Sequence, residues 1–197
     1  PDLTITAEVE NSDANAGSLI KTGVGTLSLA AANSYSAGTT VSAGTLMLGN
    51  GVNGSATGTG AVSVAPGASL SGDGSATGAV TIAGTLSPGT DTSAFGYLRL
   101  GTTTVTGSFQ CDVSGLDYDT VDITGNLVIT GGTLALNAAG ANAPSYLLAT
   151  YSGTRTGSFN VTGLPSGYAV VYDETVTPRQ IRLEQSSGSA YDAWAAA

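Results

Sequence analysis

A chain of 197 residues with 14 acidic residues against five basic ones, no histidine and a formal net charge of −9 is a poor partner for phosphate backbones. It also lacks the basic clusters that hold proteins to anionic lipid, and no apolar run reaches the roughly 18 residues of a membrane-spanning helix, so nucleic acid binding and membrane insertion are both set aside. The single cysteine, Cys111, excludes an internal disulfide, and charged residues at 10% and aromatics at 6% beside 41% hydrophobic residues suit a thin core of small and β-branched side chains.

In chain order, residues 1–20 read as a strand pair entering the first coil, with Leu3, Ile5 and Ala7 alternating against Thr4, Thr6 and Glu8. The opening at Pro1-Asp2-Leu3 shows no leader and reads as a processed piece of a longer precursor. Residues 21–101 read as regular coils, and residues 102–164 as coils with longer strands over 103–113 and 121–130, joined by a loop at Leu116-Asp117-Tyr118-Asp119. Residues 165–184 break the pattern. Tyr168–Tyr172 and Gln180–Leu183 flank a polar connection containing Pro178, which predicts an antiparallel hairpin capping the open end. Residues 185–197 read as a linker and a short helical tail that Ser189 could cap.

The repeat fixes the fold class. Gly-Thr-Leu occurs at Gly25, Gly44, Gly84 and Gly132, and Gly60-Ala61-Val62-Ser63-Val64-Ala65 returns as Gly78-Ala79-Val80-Thr81-Ile82-Ala83. Each unit is a glycine, a short period-two alternation and another glycine. The alternation gives one buried and one wet face, and glycine permits a sharp corner. Corners recurring at about 20 residues describe an all-β solenoid, residues 1–184, rather than a two-sheet sandwich. At about 4.8 Å per coil the chain holds about ten coils at most, a rod of roughly 40–50 Å.

Lys21-Thr22-Gly23-Val24-Gly25-Thr26-Leu27-Ser28-Leu29, followed by Asn33-Ser34-Tyr35 and Gly38-Thr39-Thr40-Val41-Ser42-Ala43-Gly44-Thr45-Leu46, resembles the autotransporter-associated β-strand repeat of bacterial surface proteins. Residues 84–184 resemble the segment that often follows it, through Gly84-Thr85-Leu86-Ser87-Pro88-Gly89, Tyr118–Gly125 and Gly157-Ser158-Phe159. The resemblance implies a right-handed parallel β-helix, an extracellular or bacterial cell-surface location and work as a stalk, surface layer or filament segment. It brings no catalytic motif, and the C-terminal membrane barrel of a whole autotransporter is not in this chain.

Few side chains carry chemistry. Cys111 shares a face with Phe109 and Val113, so it reads as a buried apolar residue, and a nucleophile would need a base that a chain without histidine does not offer. Asp112, Asp117, Asp119 and Asp122 form the densest acidic cluster, and Asp117, Asp119 and Asp122 are the candidate calcium ligands, although neither EF-hand nor nonapeptide spacing is present. A polysaccharide-cleaving site would need paired carboxylates or basic residues, and residues 102–154 contain no Arg or Lys. The expectation is therefore a scaffold without catalytic activity or cofactor. An adhesin that binds extracellular glycans through its scattered tyrosines is the alternative, and end-to-end self-association through open coil edges is a further route.

Overall fold

The computed structural model describes residues 2–12, 15–49, 51, 54–90 and 95–186. Among them there is no helix, and the strands fall into three sheets of nine, seven and six strands. Neighbouring strands within the sheets are parallel from one coil to the next, which makes a β-solenoid of about 6 turns. Among the described residues no helix is long and apolar enough to cross a membrane.

The register shows why the sequence alternates. In the nine-stranded sheet one inward column runs Leu3, Leu27, Leu46, Leu70, Leu86, Phe109, Leu134, Val161. In the seven-stranded sheet Val41, Val64, Ile82, Val105 and Ile129 stack in the same way. In the six-stranded sheet Ala76, Leu100, Ile123 and Tyr151 do so. These columns meet along the axis, and nearly all their members are buried. The space between Leu86, Phe109, Val121 and Phe159 is only about 10 Å³, scarcely room for one water, so the interior is filled there.

The outward columns are hydroxyl-rich. Thr26, Thr45, Ser69, Thr85, Ser108, Thr133 and Asn160 line up on one sheet, and Thr40, Ser63, Thr81 and Thr104 on another. Threonine suits a pleated surface and keeps it wet without charge.

Glycines mark two of the corners because coils touch there through backbone. A Cβ on Gly60 would meet the Gly38 backbone, one on Gly78 the Gly60 carbonyl, and one on Gly101 the Gly78 carbonyl. The other corner repeats this through Gly44, Gly84 and Gly107. The glycine of Gly-Thr-Leu is thus a spacing requirement before it is a conformational one.

Several expectations need correction. The coils are not uniform: successive members of the Leu3 column are separated by 24, 19, 24, 16, 23, 25 and 27 residues, because loops of varying length are inserted at the corners. With about 6 turns the rod is nearer 30 Å than the longer figure, at about 4.8 Å per coil. The first strands, Leu3–Ile5 and Ser18–Lys21, do not pair with each other; they lie in different sheets, each against the next coil. The expected strand over 103–113 is two, Thr103–Val105 and Ser108–Gly115, turned at Gly107. That over 121–130 likewise divides at Gly125. The segment Leu116–Asp119 is not a plain loop: Asp117–Tyr118 folds back antiparallel on Val113–Ser114.

The C-terminal hairpin is present. Tyr168–Asp173 and Arg179–Gln185 pair antiparallel, and the second strand adds antiparallel to Ser145–Tyr151. Gln185 therefore belongs to a strand rather than a linker, and the tail from residue 187 onward lies outside the described residues.

Candidate functional site

Three places in the fold carry polar groups that the solenoid itself does not explain: the acidic cluster, the N-terminal end and the C-terminal cap.

The acidic cluster divides between two faces of the wall. Asp119 lies two residues before Val121, on the inward side, and is completely buried. One carboxylate oxygen accepts the Gly96 amide of the preceding coil at 2.8 Å, and the other accepts the Asp112 amide at 2.9 Å. Its own amide donates to the Asp112 carbonyl at 2.9 Å. Asp119 is thus a bracket between two coils at the corner where Ser108–Gly115 gives way to the six-stranded sheet. Burial pushes its carboxyl up to about 7, against the pull of the two amides. Asp122 points outward. Its Oδ1 accepts the Thr150 hydroxyl at 2.6 Å, and its Oδ2 accepts Arg99 Nε at 3.0 Å and the Tyr97 hydroxyl at 3.2 Å. Burial would raise this carboxyl, but those hydrogen bonds outweigh it and hold it below the ordinary range. Asp117 is exposed in the fold-back strand.

The three candidate calcium ligands therefore do not converge. Inward and outward parity separates Asp119 from Asp122, and both are already engaged by protein donors. Among the described residues no group of three or more His, Cys, Asp or Glu is placed to hold a metal ion. The melting midpoint is expected to be the same in excess calcium chloride and in EDTA. A clear rise with calcium, the mark of a ligand that binds only the folded state, would restore the calcium site.

Cys111 is buried in the core, where its thiol faces the Asp119 carbonyl at 3.6 Å, and burial pushes the thiol well up. That is the environment of an inert cysteine. Of the tyrosines offered as sugar platforms, Tyr35, Tyr146, Tyr151 and Tyr168 are buried, and Tyr191 lies outside the described residues. Tyr146 and Tyr168 are instead braces, with hydroxyls bonded to backbone of the neighbouring coils.

At the N-terminal end Lys21 stands in register with Val41, in an inward column, yet it is a lysine. Its stem covers the end of the core, and its ammonium donates to the carbonyls of Thr22, Gly23 and Ala43 at 3.0, 2.8 and 3.0 Å. All three ammonium donors are thereby used. The period-two pattern gave no hint of this, since a lysine in a strand normally reads as outward. Around it Leu3, Ile20 and Val24 stand exposed, and the strands Leu3–Ile5 and Ser18–Lys21 are sheet edges.

The C-terminal end is closed differently. Ile181 and Leu183 of the hairpin are buried over the last coil. Glu174 at the hairpin tip accepts the Tyr151 hydroxyl at 2.6 Å and Arg155 Nε at 2.9 Å, and pairs with Arg179 at 3.4 Å. Arg155 also lies 4.3 Å over the Tyr172 ring. The hairpin places two strands beyond Ser145–Tyr151 in its sheet, whereas the other two sheets stop with the coil that strand begins. The end is stepped, and the hairpin strand Arg179–Gln185, antiparallel to Ser145–Tyr151, occupies the place a continuing coil would need. Glu174→Ala is expected to cost about 1 kcal/mol, since the pair is half exposed but strands the Tyr151 hydroxyl. Thermal melting checks this, and an unchanged midpoint would mean that the tip does not latch the cap.

A family model described as passenger-associated-transport-repeat matches residues 19–48. The match spans the four strands from Ser18–Lys21 to Gly44–Leu48, including Lys21 and the Gly44 corner. No curated protein matches the chain.

Proposed function

We propose that this chain, which carries the passenger-associated-transport-repeat of autotransporters at residues 19–48, is a stalk segment of a secreted or cell-surface protein and works as a scaffold without catalytic activity. The observation that supports this most is the unbroken inward ladder from Leu3 to Val161, nearly all of it buried. Such a ladder holds surface features at fixed distances along an axis. The polar groups inside the wall support the same reading: Asp119 and Lys21 are spent on backbone amides and carbonyls, where they brace the coils.

The two ends have different roles in this reading. Lys21 and the exposed Leu3, Ile20 and Val24 form an edge that a further parallel coil could cover. The stepped hairpin closes the other end, so end-to-end stacking of copies through continuous sheets would first have to displace the hairpin. Purified protein should therefore be uniform short particles in electron micrographs rather than filaments.

The surface location is tested on the cells that make the protein. Antibodies to this segment should label intact, unpermeabilised cells, and protease shaving should remove the label. Labelling seen only after permeabilisation would overturn the proposal.

A further inference from the structure

One decorated place interrupts the regular wall. Ser108–Gly115 and Thr133–Ala141 have 8 and 9 residues, whereas the preceding strands of that sheet have 3 to 5. Their second halves project past the corner as a ledge. On that ledge the register slips: Asp112 faces Asn137, but Ser114 faces Gly140, so Ala138 and Ala139 together oppose Val113. Such a bulge re-aims side chains and is a common device beside binding sites. Here it opens a groove of about 370 Å³ lined by Phe95, Asp112, Ser114, Asn137 and Gly140.

The lining has a defined chemistry. Asn137 Nδ2 donates to Asp112 Oδ1 at 2.7 Å, which fixes the two side chains relative to each other. Asp112 Oδ2, the Asn137 amide oxygen and the Ser114 hydroxyl remain as hydrogen-bonding groups. Gly140 keeps the groove open, since a Cβ there would come within 2.8 Å of the Ser114 hydroxyl. Phe95 adds an apolar wall. Among the described residues no cation lines the groove, and residues 102–154 supply none.

We propose that this groove binds one residue of a neutral glycan. A carboxylate held beside a carboxamide accepts from adjacent hydroxyls of a pyranose, and an aromatic ring packs against the apolar C–H face of the sugar. Acidic sugars are disfavoured because Asp112 would face their carboxylate without a cation. A single open groove gives weak binding, with dissociation constants of about 1 mM, and a repeated glycan would gain by engaging several copies.

The test uses the whole chain, labelled with nitrogen-15, and the methyl glycosides of glucose, galactose, mannose, N-acetylglucosamine, glucosamine and glucuronic acid at millimolar concentration. At least one neutral glycoside should shift the amides of Ser114 and Gly140 saturably and give saturation transfer from the protein. Asp112→Ala and Phe95→Ala should each weaken this at least tenfold, while Thr81→Ala on the far sheet should leave it unchanged. Both side chains are only half-buried, so if one variant fails to fold the other carries the comparison. Silence from all four neutral glycosides, binding of the charged glycosides alone, or undiminished binding by Asp112→Ala and Phe95→Ala would each overturn the proposal.

Discussion

Gly107→Ala is expected to destabilise the protein by about 3 kcal/mol or more, enough to leave much of it unfolded or insoluble. The backbone angle of Gly107 is ordinary, so the cost comes from space. A Cβ at this position would run into the carbonyl oxygen of Gly84 and crowd that of Ala83, in the coil below. Neither neighbour can move easily, because the Gly84 carbonyl accepts the Ser108 amide at 2.9 Å and the Gly107 amide donates to Ile82 at 3.0 Å. Overpacking at a rigid contact typically costs about 1–3 kcal/mol, and here the corner hydrogen bonds that join two coils are lost as well. Gly131→Ala is the control. Gly131 has φ +72 but nothing within 4 Å of where a Cβ would stand, so only the left-handed backbone penalty of about 1–2 kcal/mol applies. Urea unfolding of the two variants should separate them clearly. Equal midpoints would mean that the corner glycines serve backbone conformation alone and that the coils can spread.

This ordering explains how far the sequence could be read. Gly-Thr-Leu carried both the corner and the first inward leucine, so the repeat exposed the solenoid and half of one inward column, Leu27, Leu46, Leu86 and Leu134. The hairpin was legible because Pro178 and the polar connection interrupted two alternating runs. What escaped were features that depend on the partner coil. Gly107 and Gly125 divide runs that look like continuous strands, because a single glycine inside an alternation does not announce a corner. The insertions that vary the coil length fall between motifs and leave the motifs unchanged. Lys21 and Asp119 occupy inward positions that period-two reading reserves for apolar residues, and they are satisfied by main-chain groups that no alternation reveals, in part from the neighbouring coil at Ala43 and Gly96. The ledge groove was invisible for the same reason, since its shape comes from a one-residue slip between two strands 25 residues apart at Asp112 and Asn137.

Asp119→Asn is expected to cost about 2 kcal/mol at acidic to neutral pH, a fall of roughly 5 °C in the melting midpoint. The two oxygens of the wild-type carboxyl group accept two amides, from Gly96 and Asp112, and each oxygen keeps a lone pair for this whether or not the group carries its proton. An asparagine can accept one and must turn its own N–H groups toward the other, leaving a buried donor facing a buried donor. The pH dependence tells which of two opposing effects governs the wild type. Two amide donors favour the charged form by about 1.5–3 kcal/mol each, whereas full burial of an unpaired carboxylate costs several kcal/mol. Burial prevails here, and the folded carboxyl lies near 7 against an ordinary 3.8. The folded protein then holds this proton more tightly than the unfolded chain does. Its contribution to stability is complete below about pH 4, declines as pH rises from there through about 7, and stays at its minimum above. The deficit of Asp119→Asn relative to wild type should accordingly be larger at pH 5 than at pH 8, because only the wild type gains on acidification. A deficit that grows toward alkaline pH would show the reverse: the two coil-bridging amides would hold Asp119 ionised, and the bracket would be a charged one.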